Sequence, residues 1–337
     1  MAYINGIDFF LPKKTLSNED INKEHPEWSA DKISAKTGIY NRHISSEIEF
    51  TSDLGTNAAL KLFRSKKINR DDIDYLIFCT QSPDFLIPTT ACIVQENLKL
   101  SNNIGAIDIN MGCSGYLYGL SYAKGLIESG QAKNILLITS ETYSKFINPL
   151  DKSNKTIFGD GATASLVSKL PESNLSGKIN NFSFYTDGSG YDKLIVRNGG
   201  TKYRNEEDQD SFDELGHFVK NDDNLFMDGK AVFEFTAFKV PPLIKKILNN
   251  HDLDIDDVDL FIFHQANIYM MNFIRKRCKI PEEKFHIYIK DIGNTVSSSI
   301  PLALNDALNN QKIIKGSKVM LVGFGVGLSI SGSIIHY

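Results

Sequence analysis

The hydrophobic pattern of this chain switches between short unbroken apolar runs and longer stretches in which apolar residues recur every three or four positions. Tyr75-Leu76-Ile77-Phe78, Ile104 to Ile109, Ile135-Leu136-Leu137-Ile138, Leu260-Phe261-Ile262-Phe263 and Val319-Met320-Leu321-Val322 are short, and turn-forming or charged residues flank them, so they read as buried strands. Residues 4 to 10 add a first strand. Helical periodicity runs from Glu49 to Phe63, and again where Leu117, Leu120, Leu126 and Ile127 recur until Gly130 supplies a stop. A further helix is expected from Gly229 to Asn249, kinked or broken by Pro241-Pro242. The polar stretch before Glu49 holds a helical segment and the turn Lys36-Thr37-Gly38. Strands alternating with helices predict a layered α/β architecture.

Part of this pattern occurs twice. Asp71-Asp72-Ile73-Asp74 leads into one strand, and Asp256-Asp257-Val258-Asp259 leads into another 185 residues later; the runs beginning at Asn134 and Lys318 pair at a spacing of 184. Two matches at almost one spacing imply two copies of a βα unit, with their sheets stacked around shared helices. The expected division is an N-terminal half over 1–170, a connecting loop or lid region over 171–220, and a C-terminal half over 221–337. The charged, glycine-containing run from Asp187 to Lys220 fits a solvated loop or hairpin.

Length agrees with duplication, because 337 residues exceed the size at which one core usually stops growing. With 42% hydrophobic and 23% charged residues the composition is that of an ordinary globular protein. A formal charge of -4 offers no general attraction to nucleic acid. The N-terminus carries no basic segment followed by a long apolar one, and no apolar run approaches membrane-spanning length, so a cytoplasmic enzyme without membrane insertion is the expectation. Cys79, Cys92, Cys113 and Cys278 lie at irregular spacing without a CxxC pair, which argues against a disulfide framework and a zinc site.

One cysteine stands in a special setting. Met111-Gly112-Cys113-Ser114-Gly115 falls where a strand ends and a helical pattern begins. The free amides at a helix start favour a thiolate and offer donors to an oxyanion, so Cys113 reads as a nucleophile or, more blandly, as a small buried hydrophobe. Under the duplication, the strand ending at His264-Gln265-Ala266-Asn267 corresponds to the one ending at Cys79, and Cys113 maps onto Ser297 in the bend after Gly293-Asn294. Cys113, His264 and Asn294 can therefore converge from separate strand ends and helix starts.

The ordered motifs Met111-Gly112-Cys113-Ser114-Gly115, Phe226-Met227-Asp228-Gly229, His264-Gln265-Ala266-Asn267, Gly293-Asn294-Thr295 and Gly323-Phe324-Gly325-Val326-Gly327 resemble the β-ketoacyl-ACP synthase III family essentially from end to end. Pro88-Thr89-Thr90-Ala91-Cys92 and Phe158-Gly159-Asp160-Gly161-Ala162 add to the likeness. The resemblance implies a thiolase-like five-layered αβαβα fold of two pseudo-symmetric halves, a homodimer, and decarboxylative Claisen condensation of a Cys-bound acyl group with a malonyl thioester. It implies acyl-CoA or acyl carrier protein as the donor's carrier, malonyl-ACP as the second substrate, and neither cofactor nor metal. It makes Cys113 the nucleophile, His264 and Asn294 the decarboxylating pair, and the amides of Cys113 and Val326 the oxyanion hole. Lys36, Lys152, Ile87, Phe324, Asn267, Lys276 and Arg277 become expected substrate or carrier contacts, with Ile87 at the position that reaches a partner subunit's acyl pocket.

The chain departs from the family pattern around the entrance. Trp28, its only tryptophan, lies out of register with the family's coenzyme A grip, Tyr269 stands where a basic residue is common, Glu234 replaces a lysine and Val326 a glycine. A thiolase is disfavoured because 323–327 carries no second cysteine, and the elongating synthases have His where Asn294 stands. A synthase III-like or HMG-CoA-synthase-like acyltransferase with another acceptor, a Cys-His-Asn thioester hydrolase, and a non-catalytic partner subunit remain as alternatives.

Overall fold

A computed structural model describes all residues from Met1 to Tyr337. Ten strands form its main sheet: β1 (Tyr3–Phe10), β2 (Tyr75–Cys79), β3 (Gly105–Ile109), β4 (Asn134–Glu141), β5 (Gly161–Ser168), β6 (Gly177–Thr186), β7 (Leu260–Phe263), β8 (Phe285–His286), β9 (Lys318–Gly325) and β10 (Ser329–His336). The order within the first half is β3-β2-β4-β5-β1, and within the second β8-β7-β9-β10-β6. These are the same order shifted by five strands, and the senses agree: β2 is parallel to β3 and β4, β7 is parallel to β8 and β9, and the remaining pairs are antiparallel. Tyr3 against Lys178 and Ile4 against Gly177 join the halves.

The repeated acidic lead has a structural reason. In each copy it forms a 3₁₀ turn, and its last aspartate caps the neighbouring strand. Asp74 Oδ2 accepts the Lys133 and Asn134 amides at 2.7 and 2.9 Å, and Asp259 Oδ2 accepts the Lys318 amide at 2.8 Å.

Helices α1 (Thr51–Lys66), α2 (Thr90–Leu98), α3 (Gly115–Glu128), α4 (Gly229–Asn250), α5 (Ile268–Arg277) and α6 (Ser299–Asn309) complete the five layers. The apolar strand runs are buried on both faces, as strands covered by helices on each side must be. Leu76 and Phe78 face α1 and α2, while Ile77 and Cys79 face the central pair α3 and α6. Leu260 and Ile262 face that same central layer, and Phe261 and Phe263 pack towards α4 and α5. The period-two alternation of each strand thus divides the interior into three cores.

Two expectations need correction. The segment 171–220 is not only a connector, because β6 lies in it and completes the second half's sheet; the excursion proper begins after Thr186 and holds a small hairpin, Ser211–Phe212 with Phe218–Lys220. Helix α4 also runs through Pro241-Pro242 without a break. The carbonyls of Ala237 and Phe238 thereby lose their intrahelical donors. No helix is long and apolar enough to cross a membrane.

Candidate active site

The elbow forms because β3 stops at Ile109 and α3 begins at Gly115, leaving Cys113 on the intervening turn. Gly112 is required there: a side chain would run into the Gln81 carboxamide and lie 2.8 Å from Val326. The turn is pinned to the other half of the molecule. Ser114 Oγ and Ser329 Oγ are 2.8 Å apart, and Ser331 Oγ donates to the Ser114 carbonyl at 3.1 Å. Gly325 then lies over the sulfur, since a Cβ on it would sit 2.7 Å from Cys113 Sγ.

His264 follows β7, and its amide donates to the Val322 carbonyl at 2.8 Å, which extends the strand by one residue. Its Nδ1 lies 2.7 Å from Ser299 Oγ, and its ring meets Phe324 edge-on at 5.5 Å. Asn294 is held at both backbone ends, donating to the Ile157 carbonyl and accepting from the Gly159 amide. Its Oδ1 takes the Val296 amide at 2.9 Å, which leaves Nδ2 without a protein partner. Cys113, His264 and Asn294 line one cavity of about 660 Å³, together with Phe324 and Gly325.

Burial sets the protonation of this site. It pushes the Cys113 thiol up to about 12, while the Val326 and Cys113 amides, both directed at the sulfur, pull the other way. The thiolate expected at a helix start is therefore not the resting form: desolvation outweighs the amides. Burial also lowers His264 to about 3, so its imidazole is neutral at working pH.

The expected residues divide by place. Cys113, His264, Asn294, Phe324, Asn267 and Lys36 share the cavity wall, although Asn267 also caps α5 by accepting the Met270 amide at 2.9 Å. Val326 contributes its amide from the adjoining turn. Ile87 is 86% exposed on the loop before α2 and does not reach this chain's own cavity. Lys276 and Arg277 also stand outside it, Arg277 lying over the Phe238 ring at 5.4 Å.

Trp28 is a correction. It lines the cavity rim despite its sequence register, with Lys36 and Lys152 over its ring at 5.8 and 5.4 Å and Lys152 paired with Glu27 at 2.7 Å. The helix Ala30–Thr37 lies between Trp28 and the turn at Gly38 and carries Lys36 beside the Trp28 ring. Sequence reading also missed Ser299, which contacts His264, and Phe233 and the hairpin residues Phe218 and Val219, which add to the apolar wall. Only Ser299 had a signal, its place two residues past the position matching Cys113. No group of three or more His, Cys, Asp or Glu side chains is arranged to hold a metal ion.

Residues 107–188 match the family model described as 3-oxoacyl-[acyl-carrier-protein] synthase III, and residues 248–337 match its C-terminal model. A β-ketoacyl-[acyl-carrier-protein] synthase III of Clostridioides difficile is 36% identical over 339 aligned residues, covering 100% of this chain and 98% of the relative. The chain belongs to the 3-oxoacyl-[acyl-carrier-protein] synthase III family. A crystal structure of a 3-oxoacyl-(acyl-carrier-protein) synthase III superposes with a TM-score of 0.95 at 42% identity, covering 100% of this chain and 99% of that one. The priming β-ketosynthase of the R1128 polyketide pathway matches with a TM-score of 0.86 at 25% identity, over 99% and 96% of the two chains. Membership makes this synthase III family member an acyltransferase that forms a carbon-carbon bond by Claisen condensation, in fatty acid or polyketide biosynthesis.

Proposed function

We propose that Cys113 takes an acyl group from an acyl-CoA or acyl-ACP thioester and that the enolate of a decarboxylated malonyl-ACP then attacks the bound acyl carbonyl. The observation that carries this reading is the single cavity shared by Cys113, His264 and Asn294, each from a different loop. In the first step the sulfur attacks the donor carbonyl and the carrier thiol leaves, with the Cys113 proton passing to it. Because the thiol and imidazole both rest neutral, this step proceeds by proton transfer along with attack. The Cys113 and Val326 amides already point at the sulfur and are placed to receive the tetrahedral oxygen; losing one such donor typically costs about 10²- to 10³-fold in rate.

In the second step CO2 leaves and the electron pair collects on the thioester oxygen. His264 meets it with Nε2–H in the tautomer whose Nδ1 accepts from Ser299 Oγ, that hydroxyl then turning from the Val296 carbonyl 3.0 Å away, and Asn294 meets it with its unpartnered Nδ2. Both are neutral donors, which stabilise an enolate without a base. The carbanion then displaces Cys113 from the acyl carbonyl and releases the β-ketoacyl thioester.

Lys36, Lys152 and Trp28 hold the carrier end of the donor at the rim, and Lys276 and Arg277 face a carrier protein. Phe324 and Asn267 shape the channel between rim and sulfur. The partner in a homodimer supplies Ile87 to the acyl pocket; Ile87 is exposed here, and β3 is an unpaired sheet edge. Separating the two half-reactions tests the assignment. His264→Ala should still acquire an acyl group while malonyl-thioester decarboxylation and condensation fall by about 10²-fold or more; loss of acylation in the same variant would instead make His264 the activator of the thiol.

A further inference from the structure

One buried carboxylate behind the site has no part in the steps above. Glu141 ends β4 with no solvent exposure and with no lysine, arginine or histidine against it. Its two oxygens accept Ser297 Oγ at 2.7 Å, Ser82 Oγ at 2.9 Å, the Gln81 amide at 3.1 Å and Thr80 Oγ1 at 3.3 Å. The turn 80–82 backs the elbow, because the Gln81 side chain packs on Gly112 and takes the Tyr143 hydroxyl at 3.2 Å. Ser297 belongs to the loop that carries Asn294. The carboxylate therefore joins the support of the nucleophile to the support of the enolate donor.

The duplication sharpens the placement. Strands β4 and β9 correspond at a spacing of 184, which maps Glu141 onto Gly325 and Cys113 onto Ser297. Gly325 lies against Cys113, and Glu141 lies against Ser297. The site and its mirror position thus use the same junction, with a thiol under a glycine at one and a hydroxyl bound to a carboxylate at the other. A carboxylate buried without a cation is costly unless its hydrogen bonds offset the loss of water, and four groups from two loops are committed to it here.

We propose that Glu141 is a positioning residue for the condensation, bolting the Cys113 elbow to the Asn294 loop and placing its carboxylate charge directly behind the site. This rests on the reading of Cys113 as the nucleophile, but its test does not require that reading. The ionisable groups that feel Glu141 are Cys79 from β2, Cys113 from the elbow and Tyr143 from the segment after β4, all of them uncharged when protonated, so nothing cancels its charge. Burial pushes Glu141 up to about 7, so that charge appears across the working range.

The experiment is the pH dependence of Cys113 alkylation by iodoacetamide, followed by intact mass, in wild type and Glu141→Gln. Glutamine keeps the volume, and the three hydroxyls can reverse to accept from its amide. The two proteins should alkylate at equal rates near pH 6, where Glu141 is protonated. By pH 8.5 the variant should be about 3- to 10-fold faster, because a carboxylate that disfavours the thiolate is gone. A purely structural Glu141 would change both rates by one factor at every pH, and that constant ratio would overturn the proposal, as would a ratio of one throughout. Glu141→Asp, which keeps the charge, should restore the wild-type profile shape. Failure of wild type to acquire an acyl group would count against Cys113 as nucleophile and leave this comparison intact.

Discussion

At the residue scale, burial reinforces the uncharged forms of the two reacting side chains. Cys113 is held as a thiol and His264 as an uncharged imidazole, in both cases by burial. A pre-formed thiolate and imidazolium would alkylate at a rate that levels off near neutral pH; this pair should not. Iodoacetamide modification of Cys113 should keep rising with hydroxide, about tenfold per pH unit once Glu141 is ionised, with no plateau below pH 10. A plateau near pH 7 would show that the helix-start amides outweigh desolvation. Sequence reading placed Cys113 on the right turn yet gave it the wrong resting charge. The elbow is visible in Gly112 and Gly115, whereas the depth of the cavity depends on β9 and β10, more than 200 positions away. Trp28 reaches the rim from the turn before a short helix, a place that register along the chain does not give.

At the element scale, most strands and helices were legible because their apolar periods are clean. The strand at 75–79 and the helix after Gly115 appear where the pattern put them. The pattern did not reveal β6, because its burial alternates irregularly and its residues Asn180, Asn181 and Ser183 look like loop. The proline pair misled in the opposite direction, since packing of α4 against β10 and β6 offsets the two backbone bonds that the prolines remove. The acidic leads give a direct check on the equivalence of the two copies. Asp74→Ala and Asp259→Ala each remove carboxylate-to-amide bonds at a strand start, so each should lower stability by about 1 kcal/mol in urea titration. A loss in one copy alone would mean that the shared sequence serves different ends in the two halves.

At the scale of the whole molecule, the same five-strand order appears twice, and the cavity sits where the copies meet. The repeat spacing implies such a junction, and it maps Cys113 onto Ser297. The entrance was less legible: Lys36 alone among the cavity-lining residues was chosen for its charge, Phe218 and Val219 come from a charged run whose apolar residues have no period, and the helical period that predicts α4 does not say that its Phe233 meets a cavity. Lys276, Arg277 and Ile87 lie outside the cavity, so the roles proposed for them require a second protein. The edge strand β3 and the exposed Phe85, Leu86 and Ile87 predict a dimer, and sedimentation at micromolar concentration should give twice the chain mass; a monomer with full activity would remove Ile87 from the site.

The central claim is that Cys113 carries the acyl group between two thioesters. Its most direct test is intact-mass measurement after mixing the protein with a panel of acyl-CoA and acyl-ACP donors and no malonyl acceptor. Wild type should gain the mass of one acyl group from at least one donor, lose it when malonyl-ACP is added, and show no gain as Cys113→Ala. An acyl adduct that persists in Cys113→Ala, or its absence from wild type with every donor, would contradict the account.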